Sequence, residues 1–247
     1  MRIFILDIDN TLTPARQPMT EEFCEFFTFF LNRNKVHLIS GSDIEKIKEQ
    51  VPLYILRNTE SVHACSGNQI WIPKDGELTL FSEEKWWPGE DLLWELNKIL
   101  DESVYPLQVG NHIESRVGSL NFSVAGRNST KSQRDAYEKW DKGYGERKAI
   151  VKRLLDNFGH IDCSIGGQIS IDIYPKGKDK SQFLNWLYDS KTFFPHTGGD
   201  GLVFFGDKCI DGNDKTLARS IIDSDCGSFH NVKDHKETLE ILKGFYA

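Results

Sequence analysis

Ile3-Phe4-Ile5-Leu6-Asp7-Ile8-Asp9-Asn10-Thr11-Leu12-Thr13 runs from an unbroken apolar stretch into two carboxylates one residue apart. Ile3 to Leu6 read as a strand buried on both faces, the signature of a parallel sheet. Asp7 then falls at the carboxyl end of that strand, the edge where open α/β sheets bind their ligands. A carboxylate there can attack phosphorus while helping to hold Mg²⁺, and a second one, Asp9, can handle protons. The plainer reading is a strand ending in acidic turn residues, and the segments downstream decide between the two.

Outward from that stretch, Thr20 to Asn34 reads as a helix and Val36 to Ile39 as a second apolar strand, a βαβ start. Ser42-Asp43-Ile44-Glu45 has the pattern of a capping box and predicts a helix to about Gln50, with its N-terminal amides facing the sheet edge as a phosphate cradle. Strands are expected near Tyr54 to Leu56 and Ala64 to Ile72, then a turn at Pro73-Lys74-Asp75-Gly76. From about Ser82 the pattern changes. A helix from Gly89 to about Glu102, alternating segments at His112 to Ser115 and Leu120 to Ala125, one long helix from Ser132 to Phe158, and strands at Ile161 to Ile165 and Ile169 to Tyr174 predict an antiparallel sheet with helices on one face. The fold class is therefore α/β, a Rossmann-like core on residues 1–81 and 186–247 with an inserted α/β cap on 82–185. In the core, the strand Leu202 to Phe205 ends in Gly206-Asp207, followed by the turn Asp211-Gly212-Asn213-Asp214 and two helices.

Composition narrows the function. The chain has 247 residues, 39% of them hydrophobic and 12% aromatic, enough for a substantial core, and no apolar run long enough to span a bilayer. The start predicts no secretion signal, so the protein is expected to begin at or near Met1. Five scattered cysteines without a C-x-x-C pair speak against zinc or a disulfide framework and for a reducing cytosol. A net charge of −7 speaks against nucleic acid as a partner and requires a local basic pocket for any anionic substrate.

Lys180, expected in the first turn of a helix opening at Asp179, is placed to offset charge between phosphoryl oxygens and a nucleophilic carboxylate. Asp207 with Asn213-Asp214 supplies further oxygens of the kind a hard cation takes. Four such pieces, each at a strand-to-helix junction, are one constellation rather than four accidents.

These pieces, Asp7-x-Asp9-x-Thr11, Leu38-Ile39-Ser40-Gly41, Lys180, and Gly206-Asp207 with Asn213-Asp214, resemble the motifs of the haloacid dehalogenase superfamily. Over nearly its whole length the chain resembles the eukaryotic-type phosphomannomutase family, through Leu12-Thr13-Pro14-Ala15-Arg16, Gly41-Ser42-Asp43, Gly126-Arg127, Ile165-Gly166-Gly167-Gln168-Ile169-Ser170-Ile171-Asp172 and Phe204-Phe205-Gly206-Asp207-Lys208. The resemblance implies that Asp7 is the nucleophile that becomes an aspartyl-phosphate, that Asp9 is the general acid/base, and that Asp7, Asp9 and Asp207 hold Mg²⁺. It implies that Lys180, Ser40 and Ser42 bind the transferring phosphoryl group. Arg16, Arg116 and Arg127 would grip the distal phosphate and sugar, with Ser170 and Asp172 on sugar hydroxyls. Guanidinium suits phosphate independently of any family, being planar, bidentate and always charged. The implied activity is interconversion of mannose 6-phosphate and mannose 1-phosphate, supplying GDP-mannose synthesis. A hexose 1,6-bisphosphate would be the activator, the location cytoplasmic, and the cap the surface of a homodimer.

The chain also departs from the family. Asn10 and Ser40 stand where the family has glycine, the aromatic beside Arg116 and a methionine after it are missing, and the turn before Asn213 is one residue shorter. Ser40 is a residue type used by the superfamily's phosphatases, so a Mg²⁺-dependent sugar-phosphate phosphatase is the first alternative. An inactive sugar-phosphate-binding module is the second, although such a module has no need of a paired nucleophile and acid/base.

Overall fold

The computed structural model describes residues 2–190 and 201–246. Met1 and residues 191–200, assigned above to the core, lie outside the described residues. The chain divides into two compact units, Met1–Glu84 with Lys178–Ala247, and Lys85–Gly177. The expected cap of 82–185 is thus longer than the second unit at both ends. The strand that closes the first unit's sheet runs to Glu83, and Lys180 is ion-paired within the first unit.

The first unit is built on a seven-stranded sheet. Strands β1 (Ile3–Asp7), β2 (Lys35–Ile39), β3 (Ser61–Ala64), β4 (Gln69–Lys74) and β5 (Glu77–Glu83) lie on one side, with β10 (Leu202–Gly206) and β11 (Gly227–Asn231) on the other, in the order β11-β10-β1-β2-β3-β4-β5. Pairing is parallel from β11 to β3 and antiparallel across β4 and β5. All five residues of β1 are buried, as a strand covered on both faces requires. Phe4 and Leu6 face one core, with Phe23, Phe27 and Phe30 of α1 (Glu21–Leu31). Ile3 and Ile5 face the other, with Phe183 and Leu187 of α7 (Gln182–Asp189) and Leu217 and Ile221 of α8 (Lys215–Asp223). Chain order reverses about β1, with β2 on one flank and β10 on the other, so Asp7 emerges at the switch point where such sheets open a crevice.

Several elements differ from expectation. Tyr54 to Leu56 belongs to a single helical turn, α3 (Leu53–Leu56), because Pro52 stands at its N-cap and Ile55 and Leu56 reach the core on consecutive positions. Ala64 to Ile72 is two strands joined through a 3₁₀ turn at Cys65–Gly67. The helix α2 (Ile44–Gln50) is capped by Asp43, whose carboxylate accepts from the Lys46 amide at 3.0 Å, rather than by Ser42. Lys180 precedes α7 instead of opening it.

The second unit is a four-stranded antiparallel sheet in the order β6-β7-β9-β8, from β6 (Ile113–Arg116), β7 (Ser119–Phe122), β8 (Ile161–Gly166) and β9 (Ser170–Pro175). One face carries Leu120, Phe122, Ile161, Ile171 and Ile173, and α4 (Glu90–Glu102), α5 (Lys131–Tyr144) and α6 (Glu146–Asn157) pack on it. The expected single helix from 132 to 158 is two, α5 and α6, broken at Gly145, which sits left-handed at φ +77°. Arg147 secures the corner, its backbone N–H and its guanidinium both donating to Asp141.

Candidate active site

The carboxyl ends of β1 and β10 lie side by side, since Leu6 pairs with Phe205; β1 ends in Asp7, and Asp207 directly follows β10. Asp7 is 4% exposed, and Lys180 is 1% exposed. The Lys180 ammonium donates to Asp7 Oδ1 and to Asp214 Oδ1, each at 2.5 Å. Asp214 stands at the N-cap position of α8, yet its side chain makes no cap bond. Its Oδ2 accepts from the Lys208 amide at 3.0 Å and its Oδ1 faces the lysine.

One ammonium among three carboxylates leaves this cluster short of positive charge. Burial raises the Asp7 carboxyl to about 7; Lys180 draws it down, while Asp214 and Asp207 push it up. Asp207 is raised as well, by burial and by Asp214, against the pull of Lys208, Asn10 and Lys180. Lys180 itself stays charged, because the two carboxylates overcome the penalty of its burial. Asp7, Asp207 and Asp214 can each offer an oxygen with all three within 4.8 Å of one another. A hard divalent cation fits this donor set: it takes carboxylate oxygens, and it would relieve the repulsion that raises Asp7 and Asp207.

Asp9 lies outside that trio. Its Oδ1 accepts from Gln50 Nε2 at 2.8 Å and from the Arg16 backbone amide at 2.9 Å, and its Oδ2 is 3.5 Å from Ser42 Oγ. The Asp9 carboxylate, expected among the metal ligands, accepts from a helix side chain and a loop amide, and the third carboxylate gathered with Asp7 and Asp207 is Asp214. The Arg16 side chain is exposed. Ser40 is 2% exposed, with its Oγ accepting from the Ser42 amide at 3.0 Å and its backbone bonded to His63 and Ser66. Ser40 therefore laces the loop after β2, and of the two serines only Ser42 reaches toward Asp9.

On the second unit, the face of the sheet opposite its core is polar. Register places Glu114 beside Asn121, Asn121 beside Asp172, and Asp172 beside Ser164, a row across all four strands. Glu114 Oε1 accepts from Arg116 Nε and its Oε2 from Arg127 Nε, both at 2.9 Å. Arg116 Nη1 also donates to Asp172 Oδ1 at 3.3 Å, and Arg127 Nη1 to Ser170 Oγ at 2.9 Å. Asn121 Nδ2 donates to the same Asp172 oxygen at 2.6 Å. A Cβ at Gly166 would stand 2.6 Å from Asp172 Oδ2, so any side chain there would displace that carboxylate. Burial works to raise the Glu114 carboxyl, and the two guanidiniums more than offset it, holding the group below its usual range. The structure thus brings Arg116, Arg127, Ser170 and Asp172 into one cluster. Glu114 and Asn121 were not singled out from sequence, although both lie within the alternating segments that predicted the sheet.

A family model described as eukaryotic phosphomannomutase matches residues 23–246. The phosphomannomutase of Triticum aestivum is 33% identical over 249 residues, covering 98% of this chain and 94% of that protein. That of Dendrobium officinale is 35% identical over 248 residues, covering 98% and 92%. The chain belongs to the eukaryotic phosphomannomutase family. Among solved structures, a haloacid dehalogenase-like hydrolase from Bacteroides thetaiotaomicron superposes with a TM-score of 0.61 at 12% identity, covering 99% of both chains, and this likeness concerns the fold.

Within the phosphomannomutase family, the sequence pointed to Asp7, Lys180 and Asp207, and the structure gathers them. Sequence placed Asp214 only in a pair with Asn213, because an aspartate before a helix ordinarily caps it. Gln50 escaped notice for a similar reason: in the last turn of an amphipathic helix, glutamine carries no chemical signature. No helix among the described residues is long and apolar enough to cross a membrane.

Proposed function

We propose that this chain interconverts mannose 6-phosphate and mannose 1-phosphate through a hexose 1,6-bisphosphate, with Asp7 as the group that is phosphorylated. The observation that carries the reading is the buried Lys180 bridging Asp7 and Asp214 beside Asp207, in a chain of the phosphomannomutase family. In the first half-reaction an Asp7 oxygen attacks phosphorus, the bond from phosphorus to the sugar oxygen breaks, and that oxygen takes a proton from Asp9. In the second, an incoming sugar monophosphate that carries its phosphate where the first lost one gives the proton of its free hydroxyl to Asp9, and that oxygen attacks the aspartyl-phosphate, which frees Asp7 and regenerates the bisphosphate. Lys180 offsets charge on the phosphoryl oxygens throughout. Asp7, Asp207 and Asp214 would hold Mg²⁺, which supplies the remaining positive charge for phosphoryl transfer when bound. Arg16, Arg116 and Arg127 take the distal phosphate, and Ser170 and Asp172 the sugar hydroxyls. A cytoplasmic location, a homodimer through the cap and a supply role for GDP-mannose belong to the same reading.

The test is incubation with mannose 1-phosphate, Mg²⁺ and a catalytic amount of hexose 1,6-bisphosphate, following mannose 6-phosphate and inorganic phosphate together. Isomer without phosphate is expected. Phosphate without isomer means a phosphatase, and neither product means a binding module.

A further inference from the structure

Asn10 occupies the loop after β1 with a left-handed backbone, φ 61°. Glycine takes this conformation at no steric cost and asparagine tolerates it, so the backbone alone does not call for an amide side chain. The side chain has its own contacts. Its Nδ2 donates to Asp207 Oδ2 at 3.3 Å and to the Lys233 carbonyl at 3.0 Å, partners 197 and 223 residues away in the chain. One amide thus ties the nucleophile loop to the loops that follow β10 and β11.

Asp207 is the most exposed member of the carboxylate trio, with neither of its oxygens on Lys180. Asp7 and Asp214 are each fixed by the lysine, whereas among the described residues the Asp207 carboxylate is held by the bond from Asn10. It engages Oδ2, with no hydrogen bond on Oδ1 among the described residues, and it partly offsets the repulsion from Asp214. Groups that hold a metal-ligating carboxylate in place raise metal affinity by reducing what must be ordered on binding.

We propose that Asn10 is a positioning residue for the divalent cation, holding the Asp207 carboxylate in the orientation in which it joins Asp7 and Asp214. The inference rests on the cation part of the proposed function and not on the sugar or the mutase reaction. Asn10→Gly is the clean probe, since glycine keeps the backbone at φ 61° and removes only the amide. Calorimetric titration with Mg²⁺ at pH 7.5 should give a dissociation constant about tenfold weaker than wild type, the low end of the effect of losing such a partner. Melting in chelator should change little. A merely structural amide would lower the melting temperature in chelator and leave Mg²⁺ binding within twofold, and that result overturns the inference, as does a wild type that takes up no Mg²⁺. Wild type that binds Mg²⁺ but isomerises no sugar phosphate overturns the proposed function and leaves Asn10's role intact.

Discussion

At the edge of the seven-stranded sheet, one ammonium stands among three carboxylates and is almost wholly buried. On the four-stranded sheet, two guanidiniums stand among two carboxylates and a serine, with the arginine side chains still 28% and 29% exposed. The first cluster has carboxylates in excess and little water to screen them, so a cation would complete its charge. The second is balanced and half open, so its guanidiniums can turn their remaining N–H groups to an anion without leaving a bare charge behind. The difference teaches where charge changes will be felt. In the first unit they fall on stability and the chemical step, in the second on ligand recognition.

The largest effect expected is that of Asp7→Asn, which removes the attacking charge at nearly constant volume. Turnover should fall by more than about a hundredfold with the fold intact, as losses of a covalent nucleophile do. Activity above that level by the coupled assay, with an unchanged circular dichroism spectrum, would remove Asp7 as nucleophile.

Lys180→Met tests the charge excess directly. It leaves the three carboxylates without their internal cation and should cost about 3 to 5 kcal/mol in urea unfolding, the scale for breaking a buried pair. Saturating Mg²⁺ should restore part of the loss. Stability unchanged by the substitution would mean that Lys180 does not offset the buried carboxylates.

The cap arginines come next. Arg116→Ala and Arg127→Ala should each cut isomerisation by about 2 to 4 kcal/mol in kcat/KM while hydrolysis of a small generic phosphate ester changes far less. If both variants isomerise within about threefold of wild type, the cap cluster is not the sugar-phosphate site.

A third polar group is buried within the first unit. His37 Nδ1 and His63 Nε2 share the Ser61 hydroxyl at 2.7 and 2.8 Å, against the rings of Phe183 and Trp186. Burial, with a smaller push from Lys35, drives His37 down to about 3. The folded state therefore binds fewer protons than the unfolded chain below pH 6.5, so the stability His37 confers is full above that pH and is lost as pH falls toward 3. Asp7, raised to about 7, works in the opposite direction over part of this range, so the informative quantity is a difference. Between pH 6.5 and 4.5, His37→Asn should lose roughly 2 to 3 kcal/mol less stability than wild type in parallel denaturation series. Equal slopes would show that His37 takes up a proton in the fold.

Glu114→Gln should have the smallest effect. It keeps the shape of the bridge between the arginines and removes its charge, so a rise in KM of about threefold, near 0.7 kcal/mol, is expected with kcat preserved. A fall in kcat at unchanged KM would place Glu114 in the chemistry instead of in support of Arg116 and Arg127.

Local sequence was most informative where one element carries the whole message. An apolar run ending in Asp7, a strand ending in Gly206-Asp207, and a shift to alternating polarity near Ser82 are each periodic or positional signals. They identified the two sheets and the edge that carries the chemistry. The misreadings came where a local pattern had two meanings. Tyr54 to Leu56 is apolar whether it is a strand or one helical turn, and Ser132 to Phe158 keeps helical composition across the break at Gly145.

The sequence by itself determined which residues have the chemistry for phosphoryl transfer and that they sit at strand ends, because periodicity and residue type are local properties. Only the tertiary structure decided their company: Lys180 between Asp7 and Asp214, Gln50 on Asp9, Asn10 on Asp207, and Glu114 between two arginines. Many of these pairings span from 34 to 197 residues of chain. They are set by strand order, register and loop closure, quantities that no short window of sequence contains.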